Sequence, residues 1–401
     1  MSFEFFVLWI ICVTLSPVYN ILGEKIIILG LVFPIIYYKK IKFDRGLVVS
    51  LLPFVVFFVI KLLFVINDYN PISSFHSVLT LAFAMFELFV LFICVQSCDF
   101  SRLYGFTDKF YKIRRVILIS FYSSLIFSII IMIIKGRDFY RVNWSSGGVF
   151  VAPQFYLIIS ITISMALTYE AIKNKKRRLL NIVLILIGFA YAIFANYTTQ
   201  IIFYLFGIAL VYLLTILDTV TKRIIGVVLL SIFVIFTYSM LPEFILFVND
   251  IFFMDNYTIH MRLNEIYTLL RYGDSGRDLK IRFDLMGYSF ETFKNNMLFG
   301  INFSDYNTMS TGIVVGDHCE WIDDLARYGI VGFVFFALFS IKGIDSIFKI
   351  FRLNKTMVIS YDILIFIYGF ANPIIKIFLV CGLILSSALL ACSLDIKDDT
   401  E

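Results

Sequence analysis

The sequence predicts an all-α polytopic membrane protein with about 12 transmembrane helices and one large external loop that carries short helices of its own. Three observations predict this. Of the 401 residues, 60% are hydrophobic and only 16% are charged, whereas soluble domains carry roughly a quarter charged and under half apolar residues. Apolar runs on the scale of a bilayer crossing recur along the chain. A single long polar stretch, residues 241–327, interrupts that rhythm.

The apolar runs fall at 3–17, 26–38, 47–66, 77–96, 116–134, 151–169, 179–195, 201–217, 224–240, 328–344, 357–370 and 373–392. Several are shorter than the ~20 residues of a full span, which predicts thin or tilted helices. The first run lacks a basic flank before it and a small-residue cleavage site after it, so it is expected to be a retained helix rather than a signal peptide. The 46 Phe, together with abundant Ile, read as helix surface facing acyl chains. The expected division is 1–240 for helices 1–9, 241–327 for the external loop, and 328–401 for helices 10–12 with a short tail.

The net charge of +5 is not pooled in one basic domain, so nucleic acid is not an expected partner. Basic residues cluster instead in alternate loops: Lys39, Lys40, Lys42 and Arg45; Arg102, Lys109, Lys112, Arg114 and Arg115; Lys173 to Arg178; Lys222 and Arg223; and Lys342 to Lys355. Cytoplasmic loops are the ones that carry such an excess, so both termini are expected in the cytoplasm and the long loop outside.

Six cysteines are present, and five lie in or beside apolar runs, where a thiol behaves as a small hydrophobe. Cys319 is then the lone external one, so no disulfide is expected. Cys94 and Cys98 share a helix face without a further ligand beside them, and no metal site is expected. Lys61 and Glu87 stand inside apolar runs, where ionisable groups are costly and often functional. Lys61 is placed to snorkel toward the outer headgroups, and Glu87 to pair inside the bundle.

A structureless loop of about 85 residues is improbable in a compact protein, so the external loop should hold helices and a function. Residues 262–271 and 283–299 have helical spacing of apolar positions, and 321–328 reads as a helical lead-in to the next span. The loop carries Arg262, Arg271, Arg277, Lys280, Arg282, Lys294 and Arg327 among Tyr288, Trp321 and other aromatic residues. Guanidinium groups fork onto phosphate oxygens, and aromatic faces stack on sugars, so the ligand expected here combines phosphate with carbohydrate. The plainer reading is a solvated cap whose charges bind nothing. A smaller external loop, residues 135–150, adds Arg141 and Trp144.

The most distinctive stretch runs from His318 to Gly332, His-Cys-Glu-Trp-Ile-Asp-Asp-Leu-Ala-Arg-Tyr-Gly-Ile-Val-Gly, and enters a membrane helix through two glycines three apart. A lone His is more often structural than catalytic, but its place at the water–bilayer boundary beside Glu320 makes both residues candidate bases. Asp323 and Asp324 are adjacent, so on a helix they point apart and cannot chelate together. A solvated helix face is the expected setting for that pair.

This stretch resembles the signature of the O-antigen polymerase and ligase superfamily of bacterial surface-polysaccharide assembly: a His, a small polar residue, nine residues, then Gly-x-x-Gly. His318, the nine residues from Glu320 to Tyr328, Gly329 and Gly332 keep the spacing, while Cys319 replaces the usual Asn, Ser or Gln. Ser275-Gly276-Arg277 followed by Phe293 to Gly300 is similar to a second family stretch, with Met297 where Pro is common. Arg141 with Pro153-Gln154 resembles a third, and Thr198-Thr199-Gln200 lacks the Arg of a fourth.

The resemblance implies a GT-C-like fold and a metal-independent glycosyltransferase without cofactor, working at the outer face of the bacterial inner membrane. Its donor and acceptor would be undecaprenyl-pyrophosphate-linked glycans, with a chain-length regulator and a flippase as protein partners. Arg277, Arg282 and Arg141 would then offset charge on the leaving pyrophosphate, and His318 or Glu320 would take the acceptor hydroxyl proton. Arg327, Trp321 and Tyr288 would hold the glycan. Repeat-unit polymerisation is the leading expectation. Ligation of finished polymer to a lipid acceptor is the near alternative, and a lipid-linked oligosaccharide flippase is the alternative of another class. Against the flippase, no duplicated halves are evident and the polar density lies in one loop.

Overall fold

The computed structural model describes residues 7, 11, 44–65, 71–98, 107–136, 139, 153–195, 197–217, 219, 241–252, 254, 257–273, 276–301, 315, 318–372, 374 and 376–394. All regular structure among them is helical. In chain order the α-helices are α1 (Arg45–Val65), α2 (Pro71–Ser97), α3 (Thr107–Lys135), α4 (Pro153–Lys173), α5 (Arg178–Phe194), α6 (Thr198–Ile216), α7 (Leu241–Phe252), α8 (Tyr257–Tyr272), α9 (Gly276–Asn295), α10 (Glu320–Ile350), α11 (Lys355–Ala371) and α12 (Lys376–Leu394). Helices α1–α6 and α10–α12 coincide with nine of the expected apolar runs, and α7–α9 belong to the long polar stretch. The expected runs at 26–38 and 224–240, and nearly all of 3–17, lie outside the described residues.

Among the described residues, five segments are long and apolar enough to cross a membrane: Arg45–Leu63, Lys112–Lys135, Lys175–Phe194, Thr198–Ile216 and Glu320–Ile350. Ala82–Ser97 and Lys376–Cys392 are apolar but shorter. Outward-facing Val49, Leu52 and Leu63 on α1, Ile133 and Ile134 on α3, and Leu179 and Leu186 on α5 are each more than half exposed. That much apolar surface is unfavourable in water and suits acyl chains.

The centre is built on α4 and α12, which are largely apolar, buried on nearly every side and enclosed by α2, α3, α5, α6, α10 and α11. A helix without a broad polar face belongs in such a position. Small and hydroxyl residues set the approach: Gly382 leaves α12 no room for a Cβ beside Thr162 and Ile159 of α4. Close packing at small residues is how helices associate where lipid offers no hydrophobic drive. Tyr204 of α6 fills the space left by Gly188, meeting the Ser164 hydroxyl at 2.5 Å and donating to the Ile185 carbonyl at 2.6 Å.

The two ends of the bundle differ in charge. At one end, Arg114 of α3 donates to Glu170 of α4 at 2.9 Å and to Asn181 of α5 at 3.1 Å. Arg177 reaches Glu170 at 3.2 Å and Arg178 donates to the Ala171 carbonyl at 3.0 Å. Two basic clusters that the sequence assigns to one side of the membrane therefore meet around one buried carboxylate. The opposite end gathers the close of α1 and α11 with the starts of α10 and α12, and there the polar segment of α7–α9 docks through α9 onto α10.

Candidate functional site

The site is organised by a break in α10. Gly329 has φ 63° and ψ −177°, so the helix cannot continue through it. Only glycine adopts such a conformation without strain. The amides released by the break are satisfied by the chain that follows α9. Ile330 N–H donates to the Met297 carbonyl at 2.8 Å and Val331 N–H to that of Leu298 at 3.1 Å. In return, Ile301 N–H donates to the Ala326 carbonyl at 3.0 Å. Gly300, at φ 67°, lies against this break so closely that a Cβ there would stand 2.3 Å from the Arg327 carbonyl oxygen. Phe293 and Ala326 pack with Ile301 and Val315 beneath the crossing.

Lys61 of α1 completes the crossing. Its ammonium donates to the Ile301 carbonyl at 2.8 Å and the Gly300 carbonyl at 3.2 Å, and the residue is 1% exposed. Snorkelling to the headgroups, the expectation from sequence, is therefore corrected: two inward-facing carbonyls offer a cation more than the outer interface does. Gly332 sets the same helix pair together, because a Cβ there would meet the Phe57 ring of α1 at 2.4 Å. Glu87, also singled out from sequence, is buried in α2.

On the first turns of α10, Glu320, Asp324 and Arg327 share one face at helical spacing. Lys376, at the start of α12, contacts Glu320 at 2.7 Å and Asp324 at 3.2 Å, with its ammonium over the Phe336 ring at 4.5 Å. The second Glu320 oxygen accepts the Ile374 N–H at 2.8 Å, and Arg327 lies 4.0 Å from Asp324. Asp323 points elsewhere, accepting from the Ser289 hydroxyl of α9 at 2.6 Å and from the Cys319 N–H at 3.0 Å. Both aspartates are buried, so the solvated face expected for them is corrected. They do diverge, as adjacent helical positions must.

Cys319 is the N-cap residue of α10 and makes no side-chain cap. Its thiol turns to the Gly369 carbonyl of α11 at 3.6 Å. A thiol is a weak acceptor, and here Asp323 reaches back to hold the Cys319 amide instead.

His318 immediately precedes this turn and is half-buried. Partial burial holds its imidazole pKa below the ordinary value of 6.5, and the positive charges of Arg282 on α9 and Arg262 on α8 push it the same way. His318 is thus kept neutral, able to accept a proton, in a setting whose fixed charge is positive. Arg282 and Arg262 are partly exposed, and Tyr288 of α9 is 52% exposed. Trp321 is turned to α11, its indole N–H donating to the Phe366 carbonyl at 2.8 Å while the ring packs on Gly369 and Phe333.

Arg277 stands in the first turn of α9, and Arg141 lies outside the described residues. Among the described residues, no three His, Cys, Asp or Glu side chains converge in a way that could hold a metal ion. The structure thus brings His318, Glu320, Arg327 and Trp321 to the start of α10, with Arg282 close enough to act on His318.

Residues 180–337 match the family model described as O-antigen ligase. This stretch is similar to that family, in keeping with the O-antigen polymerase–ligase superfamily. The matched stretch runs from α5 through the break in α10, and so contains the whole His318–Gly332 stretch. A comparison with curated proteins finds no match to the chain. Lys61 and Lys376 lie outside the matched stretch, as does the α11 surface that receives Trp321. The matched stretch is therefore clamped by residues from α1, α11 and α12.

Ser289 and Lys376 escaped the reading of the sequence. Lys376 carried a usable signal, since it is an ionisable group inside the apolar run 373–392. Ser289 carried none, because its role depends on how α9 lies across α10.

Proposed function

We propose that this chain joins glycans carried on undecaprenyl pyrophosphate at the outer face of the bacterial inner membrane, as a metal-independent glycosyltransferase. The observation that carries the reading is His318, held neutral under the charges of Arg282 and Arg262 inside a stretch matched by the O-antigen ligase family model. The basic clusters around Glu170 support cytoplasmic termini, with the site at the opposite end of the bundle. The full complement of about 12 transmembrane helices and the GT-C-like arrangement belong to the same proposal.

In this mechanism, Arg277 and Arg282 receive the pyrophosphate of the donor, joined by Arg141 from the smaller external loop. The acceptor hydroxyl oxygen attacks the anomeric carbon, and His318 takes its proton. The carbon–oxygen bond to the pyrophosphate breaks, the electron pair leaves with the polyprenyl pyrophosphate, and the arginines offset the charge that develops there. Glu320 is given a positioning role, because its carboxylate is occupied by Lys376 and the Ile374 amide. Arg327 would meet the glycan at the edge of that ion network. Tyr288 offers an exposed ring for a sugar face, while Trp321 supports the site from its packing against α11.

For the acceptor, the leading reading is a second lipid-linked repeat unit, which makes the product a polymer for O-antigen or capsule. The ligase reading is favoured by the match to the O-antigen ligase family. A gel profile of surface glycan from a strain lacking the gene separates them. Acceptor capped with one repeat unit identifies a polymerase, and bare acceptor with polymer accumulating on its lipid carrier identifies a ligase. Units trapped on the cytoplasmic face identify a flippase, and an unchanged profile refutes the proposal.

A further inference from the structure

Between α1 and α2 lies a groove of about 550 Å³, lined by apolar side chains alone. Leu51, Phe54, Phe58 and Leu62 form its α1 wall, faced by Ala82 and Phe86 among others on α2. From Leu51 to Leu62 it follows α1 for about 16 Å at the rise of an α-helix, roughly half of a ~30 Å hydrocarbon core. The Leu62 end adjoins Lys61, whose ammonium holds the Gly300 and Ile301 carbonyls of the crossing described above. The groove thus starts at the level of the candidate site and descends by the depth of one leaflet.

We infer that this groove seats the isoprenoid chain of the lipid-linked glycan, an inference that rests on the proposed function and adds a binding site to it. A lipid whose pyrophosphate reaches the arginines of α9 must send its chain down through the outer leaflet beside the site. The α1–α2 groove lies at that depth, and its floor is fixed. Phe54 packs on Phe336 of α10 with ring centroids 6.2 Å apart, and Phe54 and Phe58 lie 5.7 Å apart. Bulky rings held in place by a neighbouring helix define a shape, whereas a surface made only for bulk lipid needs none. Because Lys61 and the groove lie on one helix, seating the chain would also bear on the Gly300–Gly329 crossing.

The test is photolabelling of the full chain in nanodiscs with a long-chain polyprenyl pyrophosphate that carries a diazirine in its isoprenoid tail, followed by mass-spectrometric mapping. The expected label falls on the groove residues of α1 and α2. Unlabelled polyprenyl pyrophosphate should displace it, and excess phosphatidylglycerol should not. Ala82→Trp, which fills the groove, should cut the label about tenfold. Label elsewhere overturns the assignment, as does equal displacement by phosphatidylglycerol, which would mark a crevice for bulk lipid. The wild-type map decides the matter even if the variant fails to fold. Since the readout is binding, failure here with glycan joining intact in cells removes only the groove. A glycan profile indifferent to the gene removes the proposed function as well.

Discussion

Gly300 and Gly329 meet backbone to backbone: a Cβ on Gly300 would lie 2.6 Å from the Gly329 nitrogen, and one on Gly329 would lie 2.5 Å from the Gly300 nitrogen. Both residues also hold positive φ. Gly300→Ala and Gly329→Ala should each destabilise the protein by about 3 kcal/mol or more, combining backbone strain with a clash that no side-chain rotation relieves. Thermal unfolding in detergent measures this. The double variant should be little worse than either single one, since both break the same contact.

Lys61→Met should leave membrane insertion intact, because it removes a charge from an apolar helix. It should nevertheless loosen the crossing, since two charge-assisted hydrogen bonds of roughly 1.5–3 kcal/mol each are lost. The expected outcome is normal protein level with glycan joining reduced at least tenfold, and partial recovery in Lys61→Arg. Wild-type activity in Lys61→Met would show that the Gly300–Ile301 carbonyls need no cation.

Lys376→Met strands Glu320 and Asp324 together in the interior, and breaking a buried pair in this way costs about 3–5 kcal/mol. Adding Glu320→Gln and Asp324→Asn to the same chain should restore most of the lost thermal stability, because no charge then remains uncompensated. Stability that stays low in the triple variant would mean that Lys376 acts through packing against Phe336 instead of charge.

If His318 is the base, only its neutral form works, so the rate should rise with pH through a pKa below 6.5 and be level near neutrality. Arg262→Gln removes one of the charges that lower this pKa. The acid limb should therefore move to higher pH, with the loss of rate confined to that limb. A pH–rate profile of the two proteins checks the direction, and a shift to lower pH contradicts the assignment.

Much of the scaffold was legible in the sequence because hydropathy and helical periodicity are local properties. The runs at 179–195 and 201–217 emerge as α5 and α6, and the helical spacing in 262–271 as part of α8; that in 283–299 is part of α9 only as far as Asn295, where the chain turns. The site was legible only where spacing carried it, as with His318, Gly329 and Gly332. What escaped depends on pairing between distant segments. Lys61 meets carbonyls about 240 positions away and Lys376 meets carboxylates about 50 away. Sequence marks each of these as a charge in an apolar run without naming its partner. Asp323 and Asp324 were misread for the same reason, since the polar lead-in to a span resembles a solvated face until α9 and α12 cover it.

The most direct measurement is release of polyprenyl pyrophosphate by the purified chain in nanodiscs supplied with lipid-linked repeat units, comparing wild type with His318→Ala and Arg282→Ala. Wild type should release one polyprenyl pyrophosphate for each glycan joined, and both variants should fall at least ~100-fold while remaining folded. Release at the wild-type rate from both variants, or none from wild type with either acceptor, would contradict glycan transfer at the start of α10.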